Sequence, residues 1–478
     1  MTKSGKPIVI IGAGVAGLAA AWRLSHVSPL PIILLEQASH IGGLASTVDF
    51  AGMRVDLGSH RLHPGSLREV LDLLRHLLGE DLLRVPRRGQ LRLHGRFISY
   101  PPSPAGLLQA LGPIEAARCG ITWLLRHVYQ RGSAGVKTAT SYESYLRSVV
   151  GSRLYDLFYA PYARKVYGTD PNDLSVKAAK KRITTGRPWR FAAELVMKSG
   201  RQEGAPRGYF YYPANGFGSI PEAFLNGSRA QSVTVHTGVC VRGLFTTADG
   251  INEVAWESTG GIETTRAAAV ISTIPVGDLA RLIHPTVPED LLESVAALRW
   301  RGIRLLQVAV RSRQCLEGET YYFPEEQYPF GRISEPTQFS RQLGRPIEGT
   351  TVNIEVICSP GDPLWSLDEE SFLDRITDEM EALGLFTRRE VAASRSIRLP
   401  VVYPVYAQGF EDRLEQLLGH LESVGNLYSI GRGGMFFHGN VDHSIMMGLQ
   451  IADHLSCPGA SSVGWRKGIP HEQFQLRD

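Results

Sequence analysis

The turn Gly12-Ala13-Gly14-Val15-Ala16-Gly17 constrains the fold of this chain more than any other feature, because of what stands on either side of it. Residues Pro7 to Ile11 form a short apolar run, Ala16 to Leu24 are helix formers, and a second apolar run, Ile32 to Leu35, ends at Glu36. Strand, glycine turn, helix and strand in this order make a βαβ unit, with two parallel strands and a right-handed crossover. Glycine permits the tight turn and lets a pyrophosphate reach the backbone, where exposed N–H groups and the positive end of the helix favour its charge. Glu36, nineteen residues beyond Gly17, is placed to accept hydrogen bonds from ribose hydroxyls and to repel a 2′-phosphate. The turn predicts an adenine dinucleotide held by Gly12, Gly14, Ala16, Gly17 and Glu36. Alone it does not separate FAD from NAD.

At 478 residues the chain exceeds one compact core, so two or three packed regions are expected. A content of 43% hydrophobic and 21% charged residues excludes a disordered, collagen-like or coiled-coil chain. Lys and Arg total 51 against 47 Asp and Glu, scattered along the chain without a basic stripe, so nucleic acid is not an expected partner. Cys119, Cys240, Cys315, Cys358 and Cys457 form no C-x-x-C pair, which fits a reduced cytoplasm. The first apolar run starts close to Met1 without a basic leader and is expected to be folded structure. No uninterrupted run of apolar residues is long enough for a membrane-spanning helix.

Further along, Thr47 to Asp56 reads as a hairpin around Ala51-Gly52, leading into the loop Leu57-Gly58-Ser59-His60. Helical spacing marks Ser66 to Leu78, Gly106 to Val128 and Ser141 to Leu157, which predicts a mainly helical insertion. β-type runs follow at Ser232 to Thr237, Val254 to Glu257, Ala268 to Ile274, Arg304 to Val310, Thr320 to Phe323 and Thr351 to Ile357 and favour a mixed sheet. Asp368 to Leu383 and Asp442 to Leu455 read as helices, with a short strand at Asn426 to Gly431 before the last. Within Gly106 to Arg131, Leu107, Leu108, Ile121, Trp123, Leu124 and Leu125 alternate with Arg118, Arg126 and Arg131. A helix covering its own domain gives this pattern and is the expected reading; contact with a membrane surface is the alternative.

What separates the dinucleotides is a second glycine turn, Ile41-Gly42-Gly43-Leu44-Ala45-Ser46-Thr47, soon after the ribose-binding acid. It resembles the second phosphate-contacting segment of the FAD-dependent amine-oxidase and protoporphyrinogen-oxidase-like superfamily. Asp56-Leu57-Gly58-Ser59-His60-Arg61-Leu62-His63 resembles the next flavin-contacting loop, and its H-x-x-H form is similar to UDP-galactopyranose mutases. Ile430-Gly431-Arg432-Gly433-Gly434-Met435 and Asp442-His443-Ser444, with Met446-Met447-Gly448, resemble the C-terminal flavin motif. Tyr167-Gly168-Thr169-Asp170-Pro171, Tyr212-Pro213, Gly361-Asp362-Pro363-Leu364-Trp365 and Tyr403-Pro404-Val405-Tyr406 look like a bacterial branch associated with polysaccharide or secondary-metabolite pathways.

The resemblance implies an α/β chain: a discontinuous Rossmann-type FAD domain (1–95, 205–295 and 400–460), a mainly helical region (96–204) and a mixed-sheet substrate domain (296–399). It implies non-covalent FAD and extends its contacts to Gln37, Gly43, Leu44, Ala45, Gly58, Ser59, His60, Val239, Gly431, Arg432, Met435, Asp442, His443 and Ser444. Arg432 and the helix near Asp442 are candidates to stabilise a reduced flavin anion, against plain loop anchoring and N-capping. His60, His63 and Arg432 are the catalytic candidates, the two histidines as proton-transfer or ring-orienting groups. Tyr212, Trp365, Tyr403 and Tyr406 are candidates to stack on substrate, although aromatic strand residues are usually core. His60, His63, His438 and His443 lack a carboxylate or cysteine at ligand spacing, so no metal is expected.

The expected function is oxidation of a small, sugar-related metabolite by hydride removal from a carbon bearing oxygen or nitrogen. The alternatives are a non-redox nucleotide-sugar mutase with reduced flavin as nucleophile, and a flavin-binding protein without turnover. Against the mutase pattern G-R-x-G-x-Y-x-Y-x-x-M-D, this chain has Phe436, His438 and Val441 at the two tyrosines and the methionine. The oligomeric state is left open.

Overall fold

The computed structural model describes residues 5–129, 139–182, 208–229, 232–285, 287–344, 349–469 and 474. Arg131 and residues 183–204 of the expected helical region lie outside them. Ile8–Ile11 is buried at every position, as a strand covered on both faces must be. It stands at the centre of a five-stranded sheet in the order Leu427–Ser429, Ala269–Ser272, Ile8–Ile11, Ile32–Glu36, Val233–Thr237. All four pairings are parallel. The helix Val15–Val27 crosses between the first two strands of the βαβ unit and packs on the last long helix, Val441–Ser456. Gly448 sets that approach: a Cβ there would overlap the Ala16 carbonyl oxygen and stand 3.0 Å from Ala19 Cβ.

The second layer is a seven-stranded mixed sheet in the order Val391–Pro404, Trp300–Val310, Thr350–Ile357, Phe330–Ser334, Thr320–Tyr322, Gln90–Leu93, Arg96–Ser99. Its two faces differ by the period of two. Leu306, Val308, Val352, Ile354 and Val356 pack against Phe372, Ile376 and Met380 of the helix Glu369–Ala382, which Asp368 caps by accepting from Ser371 N–H at 2.8 Å. The opposite face carries Leu305 and Gln307, paired in register with Glu355 and Asn353. The hairpin Gln90–Ser99 joins this sheet although it straddles the expected boundary at residue 95, because Tyr321 and Tyr322 pair with Gln90 and Leu91.

Thr47–Phe50 and Met53–Asp56 form the expected hairpin, turning at Ala51 (φ 50°) and Gly52 (φ 82°), the two positive φ values of a type I′ turn. The helix Pro104–Tyr129 breaks at Gly112 (φ 75°, ψ 164°) before Pro113. Its inner face places Leu107, Ala110 and Leu111 in a cluster with Leu91, Leu93 and Ile98, while Leu108, Ile114, Ile121, Leu124 and Leu125 stay exposed. The helix thus covers its domain with one side only. No helix among the described residues is long and apolar enough to cross a membrane. Tyr209–Pro213, which carries the substrate candidate Tyr212, is a strand paired with Leu82–Pro86.

Gly448→Ala is expected to cost ~1–3 kcal/mol, the scale for overpacking a tight contact. A denaturation midpoint equal to the parent's would show that the two helices separate without penalty.

Candidate cofactor and active site

The three glycines of the first turn are required for three different reasons. A side chain on Gly12 (φ 101°) would collide with Thr273, and one on Gly17 with the Gly12 carbonyl oxygen. A Cβ on Gly14 meets nothing within 4 Å. Gly14 is therefore small for a group that is not protein, and it N-caps Val15–Val27 without any side-chain cap, leaving the first N–H groups to a ligand. The second turn lies against the first: Gly42 bridges Gly14, Gly42 N–H donates to Ala13 O at 2.8 Å, and a Cβ on Gly43 would stand 3.4 Å from Gly14 Cα. Glu36 accepts from Ala13 N–H at 2.7 Å and Ala38 N–H at 2.8 Å, which fixes the carboxylate at the strand end. Val239 N–H donates to the Glu36 carbonyl at 3.0 Å. A dinucleotide fits this cradle.

A cavity of about 1210 Å³ continues from the cradle, above the ~300–1,000 Å³ usual for a ligand pocket. Of the residues expected at the cofactor, Gly12, Gly14, Ala16, Glu36, Gln37, Gly43, Leu44, Ala45, Gly58, Ser59, His60, Gly431, Arg432 and Ser444 line it. Gly17, Val239, Met435, Asp442 and His443 do not line it. The N-cap of the last helix is Asn440, not Asp442: Asn440 N–H donates to His443 Nδ1 at 3.0 Å in a capping box, and Asp442 accepts from Leu67 N–H at 2.9 Å. The short helix Gly431–Gly434 presents Arg432 to the cavity with its guanidinium 5.5 Å from the Tyr403 ring centre. Gly433 and Gly434 allow this, since Cβ atoms there would fall 2.7 Å from Thr273 O and 2.6 Å from Ser429 Oγ.

Of the other catalytic and substrate candidates, Tyr403 lines the cavity and four do not. His63 accepts from Gly65 N–H at 2.9 Å and holds its own loop. Tyr212 is buried and donates to Asp56 Oδ2 at 2.7 Å. Trp365 packs against the cluster under the helix Glu369–Ala382. Tyr406 is buried, stacks on Phe410, and accepts from His438 N–H at 2.8 Å. Tyr212 and Tyr406 are thus core, as aromatic residues on buried strands and loops are in most proteins.

His60 Nε2 is buried and, among the described residues, has no hydrogen-bond partner, and the same holds for Ser59 Oγ beside it. The loop that carries it is clamped from the seven-stranded sheet: Gln307 and Asn353 donate to Asp56 O at 3.2 and 3.1 Å, and Glu355 accepts from Ser59 N–H at 2.8 Å. Burial pushes the His60 pKa below 6.5, against the pull of Asp56 and Glu355, with Arg332 and Arg432 pushing the same way. The imidazole is therefore neutral at pH 7. Burial likewise raises the Asp56 pKa, opposed by His60 and by hydrogen bonds from Thr47, Tyr212 and Phe217.

Sequence reasoning missed Arg332 and Glu355, which also line the cavity. Arg332 Nε and Nη2 both donate to Glu355 Oε2, at 2.9 and 2.6 Å. The signal for Glu355 was present: in Val352-Asn353-Ile354-Glu355-Val356 the polar residues alternate with apolar ones, so both polar groups share one face of the strand.

Comparison with known proteins decides what the cradle holds, since the family model for flavin containing amine oxidoreductases matches residues 15–455. The chain belongs to that family. It is an FAD-dependent oxidoreductase of the amine-oxidase type, and its cofactor is FAD. It is 24% identical to human protoporphyrinogen oxidase over 377 residues, covering 72% of this chain and 75% of that protein. A probable UDP-galactopyranose mutase of Klebsiella pneumoniae is 20% identical over 178 residues, 37% of this chain and 44% of that protein. In fold, the chain resembles a reduced UDP-galactopyranose mutase with a TM-score of 0.79 at 22% identity, over 99% of this chain and 100% of that one. It also resembles a putative protoporphyrinogen oxidase from Exiguobacterium, with a TM-score of 0.73 at 19% identity, over 95% and 99%.

Gly14→Val is expected to abolish FAD binding while leaving the fold intact, because its side chain enters only ligand space. Flavin released on denaturation in parental amount would refute this. Glu36→Ala is expected to weaken FAD by about 1–3 kcal/mol, the scale of charge-assisted hydrogen bonds lost. Titration of the apoprotein with FAD measures it, and an unchanged Kd would remove Glu36 from the ribose.

Proposed function

We propose that this oxidoreductase takes a hydride from a substrate carbon bearing oxygen or nitrogen and passes the electrons to oxygen or another acceptor. Bound FAD supplies the hydride acceptor at its isoalloxazine ring. Gly14, Glu36 and the second glycine turn hold the dinucleotide. Arg432 and the N-terminus of the helix Val441–Ser456 put positive charge beside the cavity, where reduction places negative charge. His60 holds or accepts a proton at Nε2. The reading rests on one observation: a neutral imidazole, its Nε2 buried and without a partner among the described residues, stands in the cavity wall within the field of Arg332 and Arg432.

The mutase alternative is less well supported by the wall. Phe436 replaces the first tyrosine of the mutase pattern and is buried, at a positive φ of 46°, against Trp300, Tyr406 and Phe410. It offers no hydroxyl to a diphosphate. We also place the hairpin Gln90–Ser99 with the substrate sheet, and the FAD unit in the remaining expected segments.

Anaerobic mixing of oxidised enzyme with substrate is expected to bleach the flavin band, and an acceptor to restore it. Activity only after dithionite, with an isomeric product, would establish the mutase instead; no bleaching with any of a broad metabolite panel would leave a binding protein. His60→Ala is expected to slow bleaching ~10²–10⁴-fold with FAD still bound. Since the folded pKa of His60 lies below 6.5, the rate is expected to hold above pH 6.5 and fall only below it. A His60-dependent limb above pH 7 would contradict a neutral histidine.

A further inference from the structure

One row of side chains crosses four strands of the seven-stranded sheet along the cavity. Glu355 pairs with Arg332, Arg332 with Tyr322, and Tyr322 with Leu91. All four line the cavity. At ~4.8 Å per strand the row runs about 14 Å. It starts at the His60 loop, through the bond from Ser59 N–H to Glu355, and ends in an apolar arm. Leu93, Tyr100, Leu107, Leu111 and Phe158 complete that arm, with Phe158 supplied by a widened helical turn at Tyr155–Tyr159.

The polar end of the row is cationic in what it offers. Both oxygens of Glu355 are engaged, by Ser59 N–H and by Arg332. Arg332 spends Nε and Nη2 on Glu355, and among the described residues its Nη1 has no hydrogen-bond partner. The other carboxylates on the wall are Glu36, in the dinucleotide cradle, and Asp278, paired with Arg281 at 3.1 Å. Among the described residues, a substrate ammonium would meet Arg61, Arg332 and Arg432, and the wall carboxylates Glu36, Asp278 and Glu355 are each already engaged.

We infer that the substrate is an amphipathic acid, its charged end on Arg332 Nη1 and its apolar body in the arm between Leu91 and Phe158. This rests on the hydride-transfer reading for its chemistry and replaces the expected sugar with an apolar body. Desolvated apolar area supplies affinity and the guanidinium supplies orientation and selection by charge.

The test uses the holoenzyme and three probes with one chain and different heads: laurate, dodecanol and dodecylamine. Binding is followed by calorimetry and by the flavin difference spectrum. Laurate is expected to bind at least tenfold more tightly than dodecylamine, with affinity rising about threefold to fourfold per CH₂ from hexanoate to laurate. In Arg332→Gln the preference for laurate should disappear while dodecanol binds as before. Equal or tighter binding of dodecylamine, or affinity independent of chain length, overturns the inference on the parent enzyme alone, so a misfolded variant does not protect it. Flavin bleaching is scored separately, with 2-hydroxydodecanoate added as an acid that carries hydrogen on a carbon bearing oxygen: anion-selective binding without bleaching by the hydroxy acid sinks the hydride-transfer reading and spares the site, whereas bleaching by dodecylamine alone sinks the site and spares the reading.

Discussion

The turn Asp56–His60 is the joint on which this structure depends, because the two sheets meet there. From the dinucleotide side, the Asp56 carboxylate accepts from Thr47 Oγ1 at 2.6 Å, Tyr212 OH at 2.7 Å and Phe217 N–H at 3.0 Å. From the other side, Gln307 and Asn353 hold its carbonyl and Glu355 holds Ser59. A buried carboxylate without partners is costly, and so is a buried amide or carbonyl. Together these groups satisfy one another only when the two layers sit in one relative position. The position of His60 against the cavity is thus decided by polar satisfaction at a layer interface, and apolar packing of Leu57 with Ile303, Leu305 and Val402 fills the space around it.

How much of this was legible in the sequence follows from how far apart the partners lie along the chain. The cradle was readable because its parts are local: the glycine turn, its helix and Glu36 fall within one βαβ unit, and the conformational demands on Gly12, Gly14 and Gly17 belong to that unit. The hairpin at Ala51-Gly52 was readable for the same reason. Arg332 was not, because its meaning comes from pairing with Glu355 and Tyr322, which its own strand does not announce. The sheet that takes up the hairpin Gln90–Ser99, which straddles the expected boundary at residue 95, was not legible because its pairing partner is more than two hundred residues away. Tyr212, Trp365 and Tyr406 carried the right residue type for substrate stacking, but Tyr212 and Tyr406 are buried in the core and Trp365, half-buried, packs against the cluster under the helix Glu369–Ala382.

The electrostatics follow from the same enclosure. In a low-dielectric wall each charge needs a partner, and the pairs Arg332–Glu355 and Arg61–Glu319 supply them, with Arg61 also bonded to Tyr322 OH. Burial holds His60 neutral between these pairs. A neutral imidazole takes up a proton without first losing one, and it adds no charge to a site already lined by Arg61, Arg332 and Arg432. Arg432 and the N-terminus of Val441–Ser456 therefore set the local field, and His60 is left to proton chemistry.

The register of one short strand decides whether the site exists. Between Phe330 and Arg332 the pairing with Thr350–Ile357 shifts by one residue at Gly331, a bulge of the kind that re-aims a side chain. Phe330 and Ile333 then both face the cluster under the helix Glu369–Ala382, while Arg332 faces the cavity. With Gly331 in regular pairing instead of a bulge, Phe330 and Arg332 would share one face, so either Phe330 leaves that cluster or Arg332 turns into it. Gly331 suits the bend, since a Cβ there would come within 2.9 Å of Ile357 Cδ1. An arginine turned into the apolar cluster would be a buried unpaired charge, and Glu355 would be a second one on the cavity side. The bulge thus lets one strand serve the hydrophobic cluster on one face and the charged row on the other.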